Sequence, residues 1–325
     1  MGPKAAGAAK TIGVLAALTL VGFDRVARAS DASDEFTVGD LSSNRYKTNA
    51  PFLSDRLGVS IDPTEKLSLS VDGTFTRYFK EDRVSAEDIF QFAAAGDYEP
   101  DDHWSFGVEG RGSPPSTAVS PMPAGPIRSR TSLLGAGLSA EYDTSGDDDP
   151  KSPDDHRFET IIESSLGLTE YSTTQRSVLV GKASPSSLAQ FRASAGVTEV
   201  FWRSTETGIN ASWYAYSTDP TGTGYFGPSV FGRESVSEGV PLEPLRWSLR
   251  PNVRQRFGTV RVGAYFQYGR YVDSTGWNAI VGLKGQIKIS SEWRIWASAN
   301  LQRDAESTGE RLLIPWASIG ARVIF

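Results

Sequence analysis

The 325-residue sequence contains no cysteine, which excludes disulfide bridges, zinc–thiolate sites and cysteine nucleophiles. It has only two histidines, His103 and His156, so few imidazoles are available for catalysis or metal binding. It also lacks an apolar run long enough to cross a bilayer as a helix. The apolar run Thr11–Phe23 has 13 residues, whereas a transmembrane helix needs about 20. The sequence therefore predicts neither a disulfide-rich protein nor a helical membrane protein.

The amino terminus has the pattern of a secretory signal peptide over residues 1–29. Lys4 and Lys10 flank the start of the apolar run Thr11–Phe23, and Ala27-Arg28-Ala29 forms an A-x-A cleavage site. Cleavage after Ala29 removes four basic residues and one acidic residue, which takes the formal net charge from −6 to −9. This acidity argues against a nucleic-acid partner.

Period-two alternation marks the carboxyl-terminal stretch Arg311–Phe325. Counting back from the end, Phe325, Val323, Ala321, Ile319 and Ala317 are apolar, and a mixed set lies between them. The pattern is typical of a strand with one apolar face. An exposed apolar edge strand promotes aggregation in a soluble protein, whereas a membrane barrel pairs its last strand with its first. The pattern therefore favours a closed barrel.

Similar alternation recurs along the rest of the chain and predicts an all-β fold, a single closed antiparallel transmembrane barrel over residues 55–325. We count 15 candidate strands, or 16 if Phe36–Lys47 is one, and expect about 16 within a range of 14 to 18. Residues 30–54 are then an amino-terminal arm, with or without that first strand. The segment Gly112–Arg128 contains five prolines and is predicted to be a loop.

The last residues also resemble a known family signal. The pattern Ser318-x-Gly320-x-x-Val323-x-Phe325 is similar to the carboxyl-terminal assembly signal of bacterial outer-membrane barrels. This resemblance implies a porin-like protein of the outer membrane, inserted by the barrel-assembly machinery and surrounded by lipid and lipopolysaccharide. It does not predict the oligomeric state.

Charged side chains fall on the face opposite the apolar one, which in a membrane barrel lines the lumen. An arginine at the lipid-facing midplane would cost about 2–4 kcal/mol, and this cost determines the phase. The predicted basic pore-lining residues come from the last strands: Arg246, Arg250, Arg254, Arg256, Arg261, Lys284, Lys288, Arg294 and Arg322. The predicted acidic ones come from the earlier strands: Asp72, Glu109, Glu159 and Glu163. The sequence thus predicts a basic wall and an acidic wall that face each other.

Three functions agree with this pattern. The first is a porin-like channel for hydrophilic solutes, with an export conduit for an anionic polysaccharide as a variant. The second is a closed barrel whose charges pair across a narrow lumen and whose loops serve structure or surface interaction. The third is an outer-membrane hydrolase, for which each histidine follows two aspartates but no nucleophile motif exists.

We expect no enzyme activity, no cofactor and no metal site. The acidic connector Asp143–Asp155 lacks the ligand spacing of an EF-hand and is interpreted as a solvated charge run. The tryptophans are predicted to form a girdle at the membrane interface, on outward positions or near strand ends. Those assigned to it are Trp104, Trp202, Trp213, Trp247, Trp277, Trp293 and Trp316.

Overall fold

The computed structural model describes most of the chain after the predicted signal peptide. The described ranges are 29–43, 48–79, 87–120, 127–144, 159–177, 183–201, 204–220, 244–272, 275–305 and 311–325. The signal-peptide prediction, Trp202, His156 and most of the acidic connector lie outside these ranges. Within them, no helix is long and apolar enough to cross a bilayer.

Fourteen antiparallel strands close into one barrel in which each strand pairs with its neighbours in sequence. The strands are β1 Ala29–Ser43, β2 Thr48–Thr64, β3 Leu67–Tyr78, β4 Glu87–Tyr98, β5 Trp104–Ser120, β6 Ile127–Asp143, β7 Glu159–Ser177, β8 Ala183–Phe201, β9 Thr205–Tyr216, β10 Leu245–Phe257, β11 Val260–Tyr271, β12 Trp277–Lys288, β13 Trp293–Ala305 and β14 Arg311–Ile324. The predicted fold class is confirmed, with a strand count at the lower limit of the expected range.

The difference from 16 strands has two sources. One of the 15 alternating stretches counted from the sequence is Ser177–Lys182; its first residue is the last of β7, and residues 178–182 lie outside the described ranges. The predicted strand Tyr225–Arg233 lies wholly outside them. The first strand, which the sequence left open, is β1, and it begins at Ala29 rather than Phe36.

The last strand closes the barrel against the first. Ser33 lies opposite Ile324, and Leu41 lies opposite Trp316. The Phe325 amide donates a hydrogen bond to the Ala32 carbonyl oxygen at 2.8 Å. This pairing removes both free edges, as the alternation in the last 15 residues requires. Recognition of the terminal pattern by the assembly machinery stays a prediction.

The two ends of the barrel have different connections. We call the end that holds Ser33 and Ile324 the terminal end and the opposite one the far end. At the terminal end β10 and β11 are joined by the two-residue turn Gly258-Thr259, where Gly258 adopts a φ of 60° that favours glycine. At the far end the connection between β9 and β10 covers residues 217–244. Five of the six connections at the terminal end have two to five residues and the sixth covers residues 144–158, whereas each connection at the far end has four residues or more. Shorter turns at one end than at the other are typical of outer-membrane barrels.

The outward face carries the apolar residues, as the alternation predicts. Large hydrophobic side chains are exposed around the whole barrel, including Phe36, Val71, Val108, Leu138, Leu166, Val197, Ile209, Val253, Phe266, Leu283, Ile295 and Ile319. Two aromatic groups border this surface. Trp104 packs against Phe106 and Tyr142 near the terminal end, and Tyr268 packs against Trp247 and Trp277 toward the far end. This arrangement matches the two interfacial girdles of a barrel in a bilayer.

The prediction that Gly112–Arg128 is a loop is wrong for residues 112–120 and 127–128, which are strand, whereas residues 121–126 lie outside the described ranges. β5 continues through Pro114 and Pro115 to Ser120, and its register with β6 shifts between Ser113 and Ser116. The bulge accommodates two prolines because neither needs to donate a ladder hydrogen bond there. The described pairing of β5 with β4 ends at Phe92 opposite Gly112, so the far part of β5 is held by β6.

Candidate functional site

The candidate site is the inner face of the barrel. Partners in an antiparallel ladder point to the same side, so the pairing assigns each residue to a face. A row of directly opposed ladder partners crosses five neighbouring strands on the inner face: Glu206, Arg254, Gly263, Lys284 and Ser298. The same face also holds, by alternation, Arg250, Arg256, Arg261, Lys288, Arg294 and Arg322. The structure therefore places eight of the nine predicted basic residues on the inner face of β10–β14.

Arg246 differs from the other eight. The register of β10 against β11 shifts between Leu245 and Trp247, so Leu245 lies opposite Tyr271 and only 6% of it is exposed. Simple alternation along β10 would place Leu245 on the lipid-facing side, but a bulge interrupts the alternation at that point and turns Leu245 inward. Arg246 is the extra residue of this bulge and is exposed.

The predicted acidic residues also lie on the inner face, but they do not form one wall. Glu159 and Glu163 border a cavity of about 600 Å³ that Arg250, Arg254 and Arg261 border as well. Acidic and basic side chains thus border the same cavity, but only two strands separate β7 from β10, so this is a local contact and not two walls facing each other across the barrel.

Asp72 and Glu109 have other surroundings. Asp72 pairs with Arg56, whose Nε lies 3.1 Å from the carboxylate. Glu109 borders a separate cavity of about 270 Å³ with Arg111 and Arg192. The acidic arc is thus mixed in charge, whereas the inner face of β10–β14 is basic at its terminal end.

Sequence reasoning missed several charged residues of the inner face: Glu35, Arg56, Asp97, Arg111, Glu141, Arg192 and Glu206. Glu206 has the clearest contacts, because one of its oxygens lies 3.2 Å from Arg254 Nη1 and the other lies 3.7 Å from Arg261 Nη2. The alternating stretch of that strand that is visible in the sequence begins at Gly208. Extending its alternation by two residues would have found Glu206.

The far half of the inner face is buried rather than charged. Leu133, Tyr171 and Leu188 form one cluster with Tyr216 packed against it. Ile280, Ile314 and Trp316 form a second cluster with Tyr265 packed against it. We call these two clusters the buried belt. The predicted place of Trp316 in the interfacial girdle is wrong, because it faces inward and is 3% exposed.

A buried polar network lies next to the belt. The Asp304 carboxyl, which is 0% exposed, accepts hydrogen bonds from Tyr271 Oη, from Asn278 Nδ2 at 3.0 Å and from Gln302 Nε2 at 2.5 Å. Such a group is stable in the interior only because several donors compensate its lost hydration.

The charged half and the belt meet at Tyr265. The Arg250 guanidinium lies 4.0 Å from the centroid of its ring, and its hydroxyl donates to Asn300 Oδ1 at 2.8 Å. One side chain thus contacts a cation on one side and an apolar cluster on the other. This contact positions Arg250 at the boundary between the two halves.

The position of His103 gives little support to a hydrolase, and His156 lies outside the described ranges. His103 is exposed in the turn between β4 and β5, where its Nδ1 lies 2.8 Å from the Asp143 carbonyl oxygen. Backbone amides of His103 and Trp104 donate to Asp101 and lower the pKa of that carboxyl. Within the described residues, no three His, Cys, Asp or Glu side chains are grouped so as to hold a metal ion.

No known protein family matches the sequence, and no curated protein does. Solved structures do match. The monoaromatic hydrocarbon channel CymD aligns over 92% of this chain and 89% of its own length, with 10% identity and a TM-score of 0.56. The fold is that of a bacterial outer-membrane β-barrel. The toluene transporters TodX of Pseudomonas putida and TbuX of Ralstonia pickettii also align over 91% of this chain and over 89% and 90% of their own lengths. Their identities are 9% and 8%, and each has a TM-score of 0.50. Identities this low show the fold alone.

Proposed function

We propose that the protein is a porin-like channel of the outer membrane for hydrophilic solutes, and that it favours anions. The observation that carries the proposal is the row of basic side chains on the inner face of β10–β14, bordered by cavities rather than packed in a core. Charges that line a low-dielectric wall concentrate counter-ions in the aqueous path. The exposed apolar outer surface of the barrel supports the proposed location in the outer membrane.

The carboxylates do not cancel this field. Glu206 pairs with Arg254 and Arg261, but Arg256, Lys288 and Arg294 have no carboxylate within 4.0 Å among the described residues. An anionic polysaccharide is one extended solute that such a row would guide.

The alternative is a closed barrel that serves structure or surface interaction. The buried belt favours it, because Tyr171, Leu188 and Ile280 are 0% exposed although they face the lumen. A lumen filled at that level would not conduct ions.

Recording from planar bilayers separates the two functions. A channel gives stable unitary conductance after insertion of the purified protein, and its reversal potential in a potassium chloride gradient shows a preference for chloride. An inserted, heat-modifiable barrel without current would contradict the proposal and support the closed barrel.

A further inference from the structure

At the terminal end of the lumen, three basic side chains surround an open cavity of about 590 Å³. Arg256 comes from the end of β10, Lys288 from the end of β12 and Arg294 from the start of β13. Arg261 also borders it but is engaged by Glu206. None of the described residues that border this cavity is acidic.

The ladder places these cations next to one another. Arg256 lies directly opposite Arg261, and Arg294 lies directly opposite both Lys288 and Arg322. Like charges in directly opposed positions of a sheet destabilise it. These contacts place three positive charges side by side, and an acidic residue, Glu35, enters this row only on the next strand, opposite Arg322.

The hydrogen-bonding capacity of the cations is also only partly used. The Arg294 Nε is buried and has no hydrogen-bond acceptor, and the same holds for Arg322 Nε. Arg256 donates through Nε to the Gly258 carbonyl oxygen at 3.2 Å, which leaves its terminal nitrogens available. Charge-assisted hydrogen bonds to guanidinium groups are the interactions that oxyanions form best.

We propose that Arg256, Lys288 and Arg294 form a binding site for a doubly charged oxyanion, such as the phosphate group of a solute, at the terminal end of the lumen. A dianion offsets the repulsion between the cations and offers several acceptors to their donors. Chloride has one charge and no directional acceptors, so it binds there more weakly. The site deepens the proposed function, because it names the solute class that this mouth of the channel would select.

The site is tested by titration calorimetry of inorganic phosphate into the folded, detergent-solubilised barrel at pH 7.5 and low ionic strength. We expect saturable binding that is weakened about tenfold in Lys288→Gln and in Arg294→Gln, because each removes one charge-assisted contact. The matched control is Arg303→Gln, which should not change the affinity. Arg303 is an arginine of β13 on the outer face, and its Cζ lies 5.9 Å from the centroid of the Trp277 ring. Equal binding by all variants would overturn the site, as would binding no stronger than that of chloride.

Thermal unfolding provides a second readout that does not depend on calorimetric signal. Phosphate should raise the unfolding temperature of the wild type and leave that of the Lys288→Gln/Arg294→Gln double variant unchanged. Without phosphate, the double variant should be at least as stable as the wild type, because the opposed charges are gone. A less stable double variant, or an equal phosphate effect on both proteins, would contradict the proposal.

Neither experiment uses conduction. A barrel that is silent in bilayers but binds phosphate would refute the channel and keep the site, and a conducting barrel that ignores phosphate would do the reverse.

Discussion

The terminal half and the far half of the inner face use polar residues in different ways. In the terminal half, charged side chains such as Arg254 and Arg256 are exposed to the cavities, and their partners are few. In the far half, a carboxyl at Asp304 is buried beneath three donors and beside apolar clusters. Water hydrates the first set, whereas protein groups replace water around the second. On the proposed function, the terminal half sets ion preference and the far half sets how wide the path is.

Of the substitutions that test this difference between the two halves, the one at Asp304 is expected to have the largest effect. Replacing Asp304 by alanine removes the buried acceptor to which Tyr271, Asn278 and Gln302 donate, which should lower the free energy of unfolding by about 3 kcal/mol. Urea unfolding in detergent or lipid measures this loss. A loss below about 1 kcal/mol would mean that water reaches the network and that the far half is not sealed.

Alternation was enough to predict the barrel and the inward position of most charges, because a period of two directly separates lipid-facing from lumen-facing residues. It failed where the ladder is irregular. The bulge at Leu245 reverses one side chain, and the bulge at Pro114 and Pro115 allows a strand through a segment that composition assigns to a loop.

The buried belt could not be predicted for a different reason. Leu188, Ile280 and Trp316 are apolar residues on an inner face. A prediction from alternation alone assigns an apolar residue to the lipid-facing side or treats it as a break in the strand pattern. Their burial depends on neighbours from other strands, as in the cluster of Ile280, Ile314 and Trp316 from β12 and β14. Likewise, the ion pairs of Glu206 join β9 to β10 and to β11, and no local pattern encodes them.

Thiol labelling should separate the two halves on a single strand. Lys284 and Ile280 both lie on the inner face of β12, but Lys284 is exposed and Ile280 is 0% exposed. A membrane-impermeant reagent should therefore label Lys284→Cys rapidly and Ile280→Cys slowly, by at least about tenfold. Leu283→Cys, on the lipid-facing side, is the control and should stay unlabelled in liposomes. Rapid labelling at Leu283 with none at Lys284 would reverse the assigned faces.

Charge reversal in the terminal half should change ion preference by a smaller factor. Arg250→Glu combined with Arg254→Glu removes two cations from the cavity that Glu159 and Glu163 also border, and should shift the permeability ratio toward potassium by roughly threefold. The reversal potential in a potassium chloride gradient measures it. Arg303→Glu changes a charge on the outer face and serves as the control. A wild-type channel that prefers cations and is unaffected by the double change would show that these arginines do not line the path.

The smallest effect is expected for the Arg56–Asp72 pair, which contrasts directly with Asp304. The pair is close, with 3.1 Å between Arg56 Nε and the carboxylate, but 55% of the arginine side chain is exposed. Solvent screens such a pair, so a double-mutant cycle with Arg56→Gln and Asp72→Asn should give a coupling energy of about 0.5 kcal/mol that falls further in high salt. The Asp304 network is buried and should be insensitive to salt. A coupling above about 2 kcal/mol at Arg56–Asp72 would mean that the terminal half is as dry as the far half, and the distinction between them would fail.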